Sequence, residues 1–169
     1  MILRDFKKIL VPTDYSELSL AAIEYARAFS NVFGAQIYVL HTLDTIPVLA
    51  LDAMDLTTEN IIYETEKNAR NDLHEFVRTR VGNVLNVIEV VRRGVAEDQI
   101  VSFATEERFD LIIMATHGRS GIAHVVLGSV AEKVVQRSTV PVLTVKPANL
   151  KSSDISKDTS RIFAEETKR

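Results

Sequence analysis

Three glycines and a serine, Gly118, Gly121, Gly128 and Ser129, have the types and spacing to cradle an anion. Glycine lets a phosphate come close to bare backbone amides, and amides at a helix N-terminus favour negative charge. An apolar run over residues 111–115 precedes them and reads as a buried strand, while Gly128-Ser129 opens a helical pattern. Two readings of the glycines stand side by side: a phosphate site, or turn chemistry with a helix cap. Arg119 has the reach to swing onto a bound phosphate and reads more simply as a solvated loop arginine. Further polar residues wait at other strand ends: Thr13 and Asp14, His41 and Thr42, Thr116 and His117. Asp14 reads as a carboxylate at a helix start or as an acceptor for a base or sugar. His41 and His117 each read more simply as hydrogen-bonded structural histidines than as ligands.

Spacing removes several chemistries. No Gly-x-x-x-x-Gly-Lys-Ser/Thr occurs, and the three glycines do not fit a dinucleotide fingerprint. Gly118-Arg-Ser-Gly121 lacks the residue that a nucleophile elbow needs between serine and the final glycine. It matches a bare KH-type Gly-x-x-Gly, but it follows a strand in a chain of net charge −3, which offers no basic field for RNA. His74 falls in a long helical pattern and His124 in the glycine loop, so a cluster with ligand spacing for a metal is absent. With no cysteine, thiol catalysis and a disulfide framework are excluded. No serine–histidine–acid set or carboxylate pair assembles either, and the chain is not read as a catalyst.

The elements that must position these residues alternate along the chain. Residues 9–12 form a short strand; Ser16 caps a helix carrying Leu18, Ala21, Ala22, Tyr25, Ala26 and Phe29, and Gly34 stops it. Residues 36–40 make a second strand, and 43–57 a loop with some helical turns. A long amphipathic helix over 58–80 buries Ile61, Ile62, Ala69, Leu73, Phe76 and Val77 and ends at Gly82. Residues 84–91 alternate as a third strand. Arg92, Arg93 and Gly94 lead into a helix facing Ile100, Val101, Ala104 and Phe109 inward. After strand 111–115 and the glycine loop, a helix runs from about Gly128 to Arg137. The last strand extends from Val140 to Val145.

Alternating strands and helices imply right-handed βαβ units and an α/β fold with a single parallel sheet covered on both faces. Such sheets bind ligands beyond the strands' carboxyl ends, where the winding switches direction. At 169 residues one domain is expected, over 1–147, with a polar tail at 148–169 that reads as disordered or a short helix. The N-terminus has charges on both sides of its apolar run, unlike a signal peptide, and no stretch is long enough to span a membrane. A cytoplasmic protein without membrane or nucleic-acid partners is the expectation.

The segments KILVPTD (8–14) with Ser16, VLH (39–41), DLIIMATHG (110–118) through Gly128-Ser129, and PVLTV (141–145) together resemble the universal stress protein family. The resemblance covers nearly all of residues 5–147. It implies a Rossmann-like, adenine nucleotide alpha hydrolase-like fold of five strands in the order 3-2-1-4-5. The family's ATP-binding branch carries a glycine, two residues, a glycine, nine residues, then Gly-Ser/Thr. Here Ala115 stands at the first glycine, while Gly118, Gly128 and Ser129 match. Alanine keeps the N–H and adds a Cβ near the ribose; at a strand end it is expected at negative φ, which it tolerates. By resemblance, Pro12, Thr13, Asp14 and Thr42 surround adenine, and Met114 and Ala115 lie near adenine and ribose. His117, Gly118, Gly128, Ser129 and Val130 line the phosphates of ATP, with Mg²⁺ or Mn²⁺ bridging. The implied protein is a homodimer joined through the last strand, Val140 to Val145, acting as a stress-response regulator with at most slow hydrolysis and with protein partners that the sequence does not name. The alternative is a module that binds partner proteins and no nucleotide.

Overall fold

A computed structural model describes residues 5–44, 58–82, 87–116 and 127–146. The chain runs β1 (Lys8–Pro12), α1 (Glu17–Phe33), β2 (Gln36–Leu43), α2 (Thr58–Phe76) with a π-turn (Val77–Val81), β3 (Val87–Arg93), α3 (Ala96–Glu106), β4 (Leu111–Ala115), α4 (Ser129–Arg137) and β5 (Val142–Val145). The five strands form one parallel sheet in the order β3-β2-β1-β4-β5. That is the order the resemblance implied. The loop expected at 43–57 lies, from residue 45 on, outside the described residues, as does the tail at 148–169. Among the described residues no helix is long and apolar enough to cross a membrane.

Strand residues point alternately to opposite faces, so each strand feeds two cores. Ile9, Val11, Ile37, Val39, Leu111 and Ile113 pack with Ala22, Ile23 and Ala26 of α1, Leu73 of α2 and Val77. Leu10, Leu40, Ile112 and Met114 face the other way, onto Ile100 and Ala104 of α3 and Ala131 and Val134 of α4. Continuous apolar runs such as LIIMA in β4 are what burial on both faces requires.

Several boundaries differ from expectation, each for a local reason. Strand β2 continues through His41, Thr42 and Leu43 because β3 extends alongside it, pairing them with Val91, Arg92 and Arg93. The two arginines are therefore strand residues. Gly94 then turns the chain at φ +139°, where its N–H donates to the Leu43 carbonyl at 2.8 Å and a Cβ would lie 2.6 Å from Gln99 Nε2. Strand β5 begins at Val142 because Val140 turns its N–H and carbonyl onto the Ser138 hydroxyl, at 3.1 and 2.8 Å. Helix α2 widens at its end: the Gly82 N–H reaches the Val77 carbonyl, five residues back, at 3.0 Å. In α1 the buried stripe is Ser19, Ala22, Ile23 and Ala26, which leaves Tyr25 exposed, although its spacing pointed inward. The small side chains of Ala22 and Ala26 bring α1 close to the sheet, and that rotation sets the face.

Candidate functional site

Strand β1 is followed by α1 on one face and β4 by α4 on the other, so a crevice opens above their carboxyl ends. Its volume is about 360 Å³, within the roughly 300–1,000 Å³ range of small-molecule sites. One wall is the turn after β1, with Pro12, Thr13 and Asp14; the opposite wall is Gly128, Ser129, Val130 and Ala131. Thr42, Met114 and Ala115 complete the set. Nine of the twelve residues singled out from the sequence thus converge on one crevice. The other three, His117, Gly118 and Arg119, lie outside the described residues.

The turn after β1 is held by a directed chain of hydrogen bonds. The Ser19 hydroxyl donates to the Ser16 carbonyl at 2.8 Å, so the Thr13 hydroxyl donates to Ser19 Oγ, also at 2.8 Å. Thr13 Oγ1 in turn accepts the Tyr15 N–H at 3.0 Å. The Thr13 hydroxyl proton therefore points into the protein. Asp14 Oδ1 accepts from the Ser16 N–H at 3.1 Å and from the Ser16 hydroxyl at 2.5 Å. Ser16, the helix cap, accepts the Ser19 N–H at 3.2 Å. Of the two sequence readings of Asp14, the capping one is realised indirectly: it buttresses the cap and still lines the crevice. Tyr15 sits at φ +65°, which costs about 1–2 kcal/mol for a residue with a Cβ.

Opposite this turn, α4 starts with Gly128 as its N-cap, and among the described residues no side chain caps it. The Gly128 carbonyl accepts from the Glu132 N–H at 2.9 Å, the first intrahelical bond. The amides of Ser129, Val130 and Ala131 precede that bond, so they lack intrahelical acceptors and favour an anion. The Gly128 N–H donates to the Thr116 carbonyl at 2.6 Å, and the Thr116 N–H to the Val145 carbonyl at 2.9 Å. Those two bonds fix the start of α4 beside the ends of β4 and β5. Ala115 is not among the residues at positive φ, so its methyl group enters the crevice without backbone strain.

Strand parity separates His41 from Thr42. Thr42 shares a face with Leu40 and lines the crevice, whereas His41 shares a face with Val39 and stacks on Tyr15. The histidine is structural, as its simpler reading held: Nδ1 lies 3.0 Å from the Thr13 carbonyl oxygen. Thr116, singled out as a strand-end residue, lines the crevice as well, whereas sequence reasoning left Ser19, Leu40, Ala96, Ile100 and Ala131 out of the site, yet they line it. Leu40 and Ile100 looked like plain core because the top of the α3–α4 core is also the crevice floor. Gly94, which brings the start of α3 close, was the available signal for Ala96. Among the described residues, no group of three or more His, Cys, Asp or Glu converges as a metal site would.

Helices α3 and α4 are locked together beside the crevice by Lys133–Glu97 at 2.6 Å and Arg137–Asp98 at 2.6 Å. Glu97 is buried, and the Lys133 hydrogen bond, helped by its own backbone N–H, holds its carboxyl below the ordinary glutamate range. A lowered folded pKa stabilises above the unfolded value and is lost as pH falls through the folded one. Lys133→Met removes the largest of the interactions that lower the Glu97 pKa, so the shift shrinks, while the backbone N–H and the Arg137 charge still act in the same direction. Because Lys133 is half exposed, the expected loss at pH 7 is about 1 kcal/mol. Urea melts at two pH values check the sign: the gap between variant and wild type narrows as the pH drops below about 4.3.

Together, the sheet and its crevice define a Rossmann-like α/β protein with an anion-favouring helix start at the point where the strand order reverses. The chain belongs to the universal stress protein family, whose model matches residues 5–146. It is 31% identical over 157 residues to universal stress protein MJ0577 of Methanocaldococcus jannaschii, covering 85% of this chain and 97% of that one. The solved structure of MJ0577 superposes with a TM-score of 0.71 at 29% identity, over 86% of this chain and 99% of that one. A universal stress protein crystallised in complex with cAMP superposes with a TM-score of 0.55 at 25% identity, over 83% and 97% of the two chains.

Proposed function

We propose that this protein binds an adenine nucleotide, ATP foremost, in the crevice between β1 and β4. The observation that carries the reading is the pairing of two unlike walls: the uncapped start of α4 for the phosphates and the Pro12–Asp14 turn for the base and ribose. The apolar floor of Leu40, Ile100 and Met114 suits a flat purine. A relative crystallised with cAMP adds support for an adenine ligand. Mg²⁺ or Mn²⁺ would arrive with the phosphates, and His117, Gly118 and Arg119 would complete their side of the site. Asp14, the carboxylate among the described lining residues, has Oδ1 engaged by the Ser16 N–H and hydroxyl, which favours a sensor with at most slow hydrolysis. The edge position of β5 suits a homodimer built along that strand, in a cytoplasmic stress-response regulator.

Calorimetry with ATP and Mg²⁺ tests the reading. Saturable heat and a rise in melting temperature are expected, since a ligand that binds only the folded state stabilises it. No heat and no thermal shift at millimolar ATP would sink it. Incubation for hours with the ATP left intact marks a sensor, and steady turnover marks an ATPase.

A further inference from the structure

The left-handed conformation of Tyr15 is costly for a bulky aromatic residue, and it persists because the ring is clamped. The ring stacks on His41 at 4.2 Å between centroids with 24° between planes. It meets Phe76 of α2 edge-on at 5.3 Å, and its hydroxyl reaches the Ala69 carbonyl at 3.5 Å. His41 also approaches the turn directly, through Nδ1 and the Thr13 carbonyl. Neither Tyr15 nor His41 is among the residues that line the crevice.

At this φ the chain doubles back after Asp14, which brings the Ser16 N–H onto Asp14 Oδ1, while the Tyr15 N–H, just before the bend, is held on Thr13 Oγ1. Release of the ring would let residue 15 relax toward negative φ and carry Asp14 away from the crevice. We infer that Tyr15, stacked on His41, is a positioning residue for the ligand, holding the Thr13–Asp14 wall against which the base and ribose rest. This inference rests on the nucleotide reading above.

Titration of the full-length protein with ATP and, separately, with adenosine tests it. Tyr15→Phe keeps the ring and is expected to bind both like wild type. Tyr15→Ala is expected to lose roughly three- to tenfold in affinity, by the same factor for both ligands because the phosphate wall is untouched. Tyr15→Gly loses the ring but adopts positive φ without strain, so a smaller loss than in Tyr15→Ala is expected, again equal for the two ligands. Hydrogen exchange adds a local readout: the Ser16 and Ser19 amides exchange faster in the Ala and Gly variants, while those of β4 are unchanged. Wild-type affinity for both ligands in a folded Tyr15→Ala variant overturns the inference alone. Failure of the wild-type protein to bind either ligand overturns the nucleotide reading and this inference with it.

Discussion

Ser129→Asp should abolish most of the affinity for ATP while leaving the protein at least as stable as before. Ser129 is exposed and is the first residue of α4, at the anion-favouring end of the helix. A carboxylate there interacts favourably with the helix dipole, by about 0.3–1 kcal/mol, so the melting temperature holds or rises slightly. The same carboxylate stands where the phosphates are proposed to sit. Like charges several ångströms apart near a protein surface repel by on the order of 2 kcal/mol, roughly thirtyfold in affinity. Adenosine carries no phosphate and should bind the variant as it binds wild type. Ser129→Ala, which removes one hydroxyl and adds no charge, should cost only about 1 kcal/mol. Calorimetry with both ligands reads all of this, and undiminished ATP binding by Ser129→Asp would place the phosphates elsewhere.

The largest stability effect is expected at Ile112→Ala. Ile112 is fully buried, lies opposite Leu10 of β1 and Val142 of β5, and packs into the core beneath α3 and α4. Truncation removes three carbons from a close-packed site flanked by strands on both sides, so little collapse can fill the cavity. A loss of about 2–5 kcal/mol is expected, a large part of the roughly 5–15 kcal/mol that holds a typical domain together. The urea midpoint should fall with the slope unchanged. Val32→Ala, at an α1 position that is 75% exposed, should shift stability by less than about 0.5 kcal/mol. Saturating nucleotide should raise the midpoints of wild type and Ile112→Ala alike, since a ligand that binds only the folded state stabilises it by mass action.

Much of this architecture was legible in the residues themselves. Strand β4 stood out because five consecutive apolar residues between Asp110 and Thr116 leave no other economical reading. The convergence of Thr13, Asp14 and Gly128 follows from a rule about where parallel sheets bind ligands. The strand order, by contrast, came through family resemblance and not from any single residue. What stayed hidden was set by tertiary contacts. The π-turn after α2 is invisible in a pattern that fits an ordinary helix just as well. Ser19 interrupts an apolar helix face, and its burial makes sense only once Thr13 supplies a partner. Tyr15 at positive φ was the least legible, since every local preference argues against it. The division between His41 and Thr42 could have been read: strict alternation from Val39 onward places them on opposite faces.

The sheet also acts as a partition. Odd-numbered β1 residues belong to the α1–α2 side and even-numbered ones to the α3–α4 side, where the crevice opens. On the first side, away from Ser19 and from the His41 and Phe76 rings that hold Tyr15, substitutions touch no residue that lines the crevice. The turn that Tyr15 ties down is where the halves share one hinge of sequence. A lineage that kept that turn would be free to edit the two sides separately, one for its company and the other for its ligand.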